Sequence, residues 1–368
     1  MTLRIAVDRR RSILADGTAS HNRWHPDLEP VAEIEPGDEV VLELRDGMDG
    51  GLGPGVSQQD LRRLDLDANR PLTGPILVRG AGPGDVLEVE TLEVEPAGRG
   101  FTAVIPGFGL LGDRFTEPFL VRWEIAGGVA RSADLPGVAI RGAPFLGSIG
   151  VAPSHELLER ARRREAAVAE RGGLALAPQA RGAVPVTEPV ASAGLRTIPP
   201  REHGGNLDIP QLTVGSRLLL PVHVPGALLS AGDAHFAQGE GESCGTAIEI
   251  QAVARLRVGL RRAAEAAWVP RFAAYEFRTP PGPPGGRRYL ATTGIPLDDD
   301  GRNGALDLTL AARRALDELV GLLCATRGLT PEQACVVASV AADLRISEAV
   351  NVPNGLVSAI LPLDVFEA

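Results

Sequence analysis

The sequence predicts an α+β fold: β-rich mixed sheets, sandwich or barrel-like, with C-terminal helices packed on them. Three observations carry this expectation. First, 44 glycines and 30 prolines among 368 residues exceed the ~12% usual for the two together. They are interleaved with apolar runs, as turns between short strands are, and not clustered as in a disordered chain. Second, Ile248, Ile250, Ala252, Ala254, Leu256 and Val258 alternate with Glu249, Gln251, Arg255 and Arg257, the period of a half-buried strand. Third, the last third changes to helical spacing, with Leu306, Leu310, Leu316, Leu319, Val320 and Leu323 along one stretch.

Taken in order, residues 34–44 and 81–94 each open on Pro-Gly-Asp and run into an apolar or alternating segment, a turn followed by a strand. Residues 155–171 read as a surface helix laced by Glu156/Arg160 and Glu159/Arg163 at i, i+4 spacing. The following GGLALAPQARGAVPVTEPVASAG has few polar anchors and no helix or strand period. An insertion at about 155–200 is therefore expected, either a subunit contact or pocket cover, or a tolerated surface excursion. The PPGPPGG run at 280–286 reads as a loop. One helix runs through about residue 326 and stops at Gly328, and Thr330-Pro331-Glu332-Gln333 opens a second with an N-cap, a proline and a capping-box glutamine. The extended ADLRISEAV and NGLVSAILP return to a sheet, so residues 1–368 are expected to form a single domain.

Composition excludes several classes of function. The formal charge is −10, and no basic stripe is interleaved with aromatics, which argues against nucleic acid. Arg160 to Arg164 lies among Glu156, Glu159 and Glu165 and reads as a solvated helix face. No membrane span is expected: the most apolar stretch, 218–232, is broken by Pro221, His223, Pro225 and Gly226. The N-terminus has no apolar signal core. Cys244, Cys324 and Cys335 cannot complete a disulfide set and have no zinc spacing, so a cytoplasmic location is expected.

Chemistry concentrates between residues 201 and 249. Asn206/Asp208 and Asp233/His235 each have i, i+2 spacing, which in an extended chain aims both members at one point. Carboxylates, an imidazole and an amide oxygen suit Zn²⁺ or a harder cation such as Ca²⁺ or Mg²⁺. An Asx turn and a metal-free Asp233/His235 pair are the plainer alternative. Glu240, Glu242 and Cys244 follow in a glycine-rich turn. Glu242 is the better placed general base, and Cys244 is either a nucleophile or, preferred here, a buried thiol at a strand start. His25 and His155 read as surface or structural, and His223 as a core residue. No phosphate loop or dinucleotide fingerprint occurs.

Segments GGNLDIPQL, VPGALLSAGDAHFAQGEGE and CGTAIE resemble signature segments of the acetamidase/formamidase family. HNRWHPDLEPV, RDGMDGG, LTGPILVRGAGPGDVLEVE, PGFGLLGDRF, FLGSIGVAP and VAADLRISEAVNVPNGLVSAILP resemble others in family order, so the likeness covers almost the whole chain. It implies a hydrolase that converts a small linear amide, formamide or acetamide, to carboxylate and ammonia, with a divalent metal, zinc or calcium. Asp208, Asp233 and His235 would hold the ion, with Asn206, His21 or Asp46 completing the sphere. Asp233 and Glu242 are the catalytic candidates, Glu242 moving protons. Trp24, Phe108 and Phe236 would wall a pocket for a small amide, and a homo-oligomer is expected. Thr292, Thr293, Asp343 and Arg345 lie in similar segments, the last two read as a buried ion pair. The chain departs from the expected pattern at Gly51, Ser243 and Asn351, positions that bear on substrate choice. Other readings are a metal-dependent hydrolase of a larger carbamoyl or cyclic amide, and a scaffold that binds without turnover.

Overall fold

A computed structural model describes residues 2–53, 55–64, 66–173, 175, 177–266, 268–278, 287–350 and 353–367. The loop expected at 280–286 and the departure at Asn351 lie outside them. Both Pro-Gly-Asp turns form as the sequence implies: Gly37 and Gly84 take φ of 97° and 91°, a region open to glycine without steric penalty. They lead into strands Glu39–Leu44 and Val86–Val104. Strand Glu249–Arg261 lies antiparallel to both, with Ala252, Ala254, Leu256 and Val258 wholly buried. These strands form the spine of a large mixed sheet, fifteen strands among the described residues. It continues through Leu229–His235 to Phe145–Gly150 and Gly204–Asn206.

Helices Leu308–Arg327 and Pro331–Ala341 close the fold from the C-terminal side. Leu316, Leu319, Val320 and Leu323 of the first, and Val336, Val337 and Val340 of the second, join the core that holds Val104 and Ile250. The first starts two residues after Leu306, because Asp307 caps it by accepting from the N–H groups of Thr309 and Leu310. Gly328 ends it at φ 66°, and Thr330 with Gln333 completes the capping box of the second. Asp343 and Arg345 pair at 2.9 Å, but Arg345 is 57% exposed. Their strand, Asp343–Glu348, has its neighbour Leu356–Pro362 on one side only among the described residues, so the pair is not buried. No helix is long and apolar enough to cross a membrane among the described residues.

Helix His155–Glu170 forms in the expected insertion. Glu156 and Arg160 pair at 3.2 Å, whereas Glu159 pairs with Arg162 and not Arg163. Two double-bonded ion pairs fasten the helix to the residues ahead of the Asn206 strand: Arg164 to Glu202 at 2.6 and 2.7 Å, and Glu165 to Arg201 at 2.6 and 2.9 Å. The apolar stretch that lacked a period is buried in part by its own chain. Ala183 and Val184 are buried, and Val184 exchanges backbone and side-chain hydrogen bonds with Asn22. Val186 remains 71% exposed.

The Arg164 guanidinium holds the Glu202 carboxyl down at about 2. A depressed carboxyl stabilises the fold above its ordinary value and loses that contribution as pH falls from about 4.5 toward 2. With Arg164 45% exposed, screening reduces the effect to on the order of 1 kcal/mol. Glu202→Gln is therefore expected to melt lower than the parent at pH 7, the gap narrowing as pH falls from about 4.5 and closing only near pH 2. Thermal melts across that range check this, and a constant difference would exclude the clamp.

Candidate functional site

Strand Phe145–Gly150 assembles the site. Ser148 pairs with Asn206 on one side and with Gly232 on the other, so Asn206 and Asp233 converge on it. The Ser148 hydroxyl lies 2.6 Å from Asn206 Oδ1 and 3.3 Å from Asp233 Oδ2. Arg70 donates to Asn206 Oδ1 at 3.0 Å and forms a buried ion pair with Asp233. Asn206 Nδ2 donates to Asp208. His235 Nε2 stands 3.7 Å from Asp233 Oδ1 and 3.3 Å from Glu249 Oε1, and its Nδ1 meets Gln238 Oε1 at 2.8 Å. Gln238 in turn donates to the Asp208 carbonyl at 2.8 Å.

Two acid–histidine groups thus share His235: Asp208 with Glu242, and Asp233 with Glu249, ligand atoms in each lying within 4.8 Å of one another. Arg70, Asp208, Asp233 and Glu242 all have left-handed backbone, at φ 53°, 48°, 54° and 41°. That region costs non-glycine residues on the order of 1–3 kcal/mol and collects at functional sites. Asp208 Oδ1, Asp233 Oδ1, His235 Nε2, Glu242 Oε1 and Glu249 Oε2 are buried without a hydrogen-bond partner. So many unsatisfied polar atoms in one place are costly unless something binds there.

The space for that something is kept by two glycines. A Cβ on Gly47 would lie 2.2 Å from Asp233 Oδ1 and 2.9 Å from Glu249 Oε2, and one on Gly147 would lie 2.5 Å from Asp208 Oδ1 and 2.8 Å from His235 Cε1. Burial pushes the His235 imidazole down, but the Glu249 and Asp208 charges outweigh it and raise it to about 9. Burial raises Glu249 as well, and there His235 and Arg70 win and lower it. Burial together with the Asp208 charge pushes the Glu242 carboxyl up. Four carboxylates face one guanidinium and one imidazole, a surplus of anionic oxygen that a divalent cation would balance. The donor set fits such an ion.

The other sequence candidates lie elsewhere. His21 uses both ring nitrogens, on Ser230 Oγ at 2.7 Å and the Arg23 carbonyl at 2.8 Å, and burial lowers its imidazole to about 4. Asp46 accepts from the N–H groups of Met48 and Gly50, so its motif reaches the cluster through Gly47. Trp24 is buried beside Leu158 and Leu195, edge-on to His203. Phe236 is core, with Gly142 leaving room for its ring, and Phe108 is half-buried beside Gly245. Phe145, which the sequence did not single out, packs its ring edge-on to His235 at 5.2 Å. Of the departures, Gly51 lines a large cavity, and Ser243 is buried with its carbonyl on the Leu110 N–H.

Glu249 corrects the strand reading. Alternation places it with Gln251, Arg255 and Arg257 on the polar face, yet it is 1% exposed, with Gly47 of the turn after Leu44 lying close against its carboxylate. Arg70 carried no sequence signal beyond its place just before LTGPILV. Cys244 is buried with its Sγ near the Ala103 and Thr246 carbonyls, and burial raises its thiol. It is therefore held protonated, as a structural thiol is. Cys244→Ala is expected to keep kcat/KM within about threefold of the parent, as a change that removes no reacting group would. An inactive variant, with an acylated cysteine peptide in the mass spectrum, would move the nucleophile to sulfur.

Comparisons with known proteins show what the chain is similar to. The model of the acetamidase/formamidase family matches residues 6–368. A formamidase of Methylophilus methylotrophus is 36% identical, over 94% of this chain and 89% of its own. An acetamidase of Mycolicibacterium smegmatis is 35% identical, over 90% and 88%. A solved gamma lactamase from Delftia acidovorans superposes with a TM-score of 0.94 at 34% identity, covering all of this chain and 94% of that one.

Proposed function

The chain belongs to the acetamidase/formamidase family and is an amidase acting on the carbon–nitrogen bonds of linear amides; we propose that it does so at the His235 cluster, on a short amide such as formamide or acetamide, with a divalent metal. The observation that carries this is the five buried, unpartnered polar atoms around one cradle. Asp233, His235 and Glu249 would hold the ion, while Asp208 and Glu242 form the second group around the same imidazole, with Asn206 in reach through Asp208. One imidazole nitrogen among carboxylates fits zinc better than calcium, which takes oxygen ligands. When bound, the ion supplies Lewis-acid polarisation of the amide carbonyl.

The protein's own groups do the rest. Arg70 and Ser148 fix the Asp233 carboxylate, and Gln238 fixes the imidazole of His235, so neither must reorganise during turnover. Glu242 aims an unpartnered oxygen into the cluster, and its raised carboxyl can carry a proton near neutral pH. It takes a proton from water as that adds to the carbonyl carbon and delivers one to the departing nitrogen. Free thiols at Cys244, Cys324 and Cys335 support a cytoplasmic setting. The exposed Trp268, Phe272, Tyr275 and Phe277 support a homo-oligomer, with the 155–200 insertion as a candidate contact.

A wider or cyclic amide is the second reading, favoured by the likeness to the gamma lactamase. Ammonia release from formamide and acetamide, and ring opening of a lactam to its amino acid, measured beside metal content per chain, test these. Turnover of the linear amides supports the first reading, of the lactam alone the second. Turnover of none would leave a binding scaffold.

A further inference from the structure

A cavity of about 1300 Å³ opens over the sheet face that carries Glu249, Gln251 and Asp46. It is larger than the ~300–1,000 Å³ typical of pockets for drug-sized ligands, and formamide would leave nearly all of it empty. Glu249 joins it to the cluster, since the same side chain approaches His235 at 3.3 Å. Six arginines stand in its wall. Arg10 is paired with Asp8, Arg131 with Glu367, and Arg122 donates to the Val56 carbonyl. Arg9, Arg11 and Arg99 make no ion pair among the described residues; the first two donate only to the carbonyls of Ala252, at 3.4 Å, and Ala15, at 2.8 Å.

The carboxylates of the same wall do not answer these three cations. Asp46 is held by the Met48 and Gly50 N–H groups, Asp49 by the Ile13 N–H at 2.6 Å and by Arg45, and Asp134 by the Arg122 N–H. Glu124, opposite Arg99 in strand register, closes no ion pair with it. The cavity is thus acidic at its Glu249 end and has, around its wall, guanidinium groups that close no ion pair among the described residues, Arg11 being acted on by Asp8 and Asp16 only at longer range. Guanidinium groups in that state favour an anion, carboxylates above all, by forked hydrogen bonds.

Building on the amidase reading, we propose that the preferred substrate is an amide whose far end bears a carboxylate, the amide directed to His235 and Glu249 and the carboxylate to Arg9, Arg11 and Arg99. Water adds to the amide carbon, the carbon–nitrogen bond breaks, and the nitrogen leaves as ammonia with the proton delivered to it. The product is a dicarboxylate, and ammonium forms in solution.

Succinamate and 4-methylpentanamide have matched size and length and differ in the terminal charge. With the metal-loaded full chain, succinamate is expected to show a kcat/KM roughly tenfold or more above its neutral counterpart, as one charge-assisted contact would supply. That preference should shrink as salt rises and collapse, through KM, in Arg9→Ala/Arg11→Ala/Arg99→Ala. A melting curve establishes that the triple variant folds, and Arg99→Lys gives partial recovery of the preference from the Arg99→Ala level. Equal or better use of the neutral amide, or a preference unaltered in the folded triple variant, overturns the proposal while formamide or acetamide turnover leaves the amidase reading standing. Ammonia from no amide overturns both.

Discussion

Asp233→Asn and His235→Ala are each expected to lower amide turnover by on the order of 10²–10⁴-fold and to release most of the bound metal. The expectation follows from where the two side chains stand. His235 belongs to both acid–histidine groups, so its loss removes the one nitrogen donor from each. Asp233 has one oxygen on Arg70 and the other without a partner, aimed at the space beside Glu249. An amide there keeps the volume but removes the charge that both Arg70 and a cation need. Buried Arg70 also loses its directly paired anion, with only the charges of Asp208, Glu242 and Glu249 left to act on it, so a lower melting temperature accompanies the change. His235→Ala separates the effects, because it leaves the Arg70–Asp233 pair intact. Elemental analysis and ammonia release check both variants, and full metal occupancy with normal turnover in either would remove the cluster from the reaction.

The strands, turns and helix caps are set by local chemistry, which a single sequence displays. Pro-Gly-Asp needs its glycine at positive φ, and Thr330 with Gln333 satisfies N–H groups of its own helix. The i, i+2 spacing of Asp233 and His235 is equally local, and it puts them 3.7 Å apart. Arg70 and Glu249 are different. Arg70 reaches Asp233 across 163 residues, and its left-handed backbone has no signature in an arginine. Glu249 follows the polar phase of its strand and is buried, with Gly47 of a distant turn close against it. His21 and Asp46 are of residue types that suit a ligand, yet each finds hydrogen bonds close by, which spacing cannot foresee. In RDGMDGG the eye goes to the acids, while the contribution to the cluster is the absence of a side chain at Gly47.

Gly47→Ala is accordingly expected to abolish turnover, to below about 1% of the parent, although it adds a single methyl group to a residue with no chemistry of its own. The φ of Gly47 is not in the left-handed region, so alanine meets no backbone penalty there. The conflict is wholly with Asp233 Oδ1 at 2.2 Å and Glu249 Oε2 at 2.9 Å, both below any real contact of a Cβ. Neither carboxylate can swing away freely. Asp233 is tied to Arg70 and Ser148, and Glu249 accepts from the Ala247 N–H at 3.2 Å beside His235. Overpacking of this kind costs typically about 1–3 kcal/mol, which a chain of this size with a large core withstands. The variant should therefore fold, melt a few degrees lower, and lose both metal and activity. Gly50→Ala is the contrast on stability alone: φ is 75° but nothing lies within 4 Å of the added atom, so backbone strain appears without any intrusion on the cluster. If Gly47→Ala folds and keeps its metal and its rate while Gly50→Ala shows the greater loss, the cradle between Asp233 and Glu249 is not where the reaction takes place.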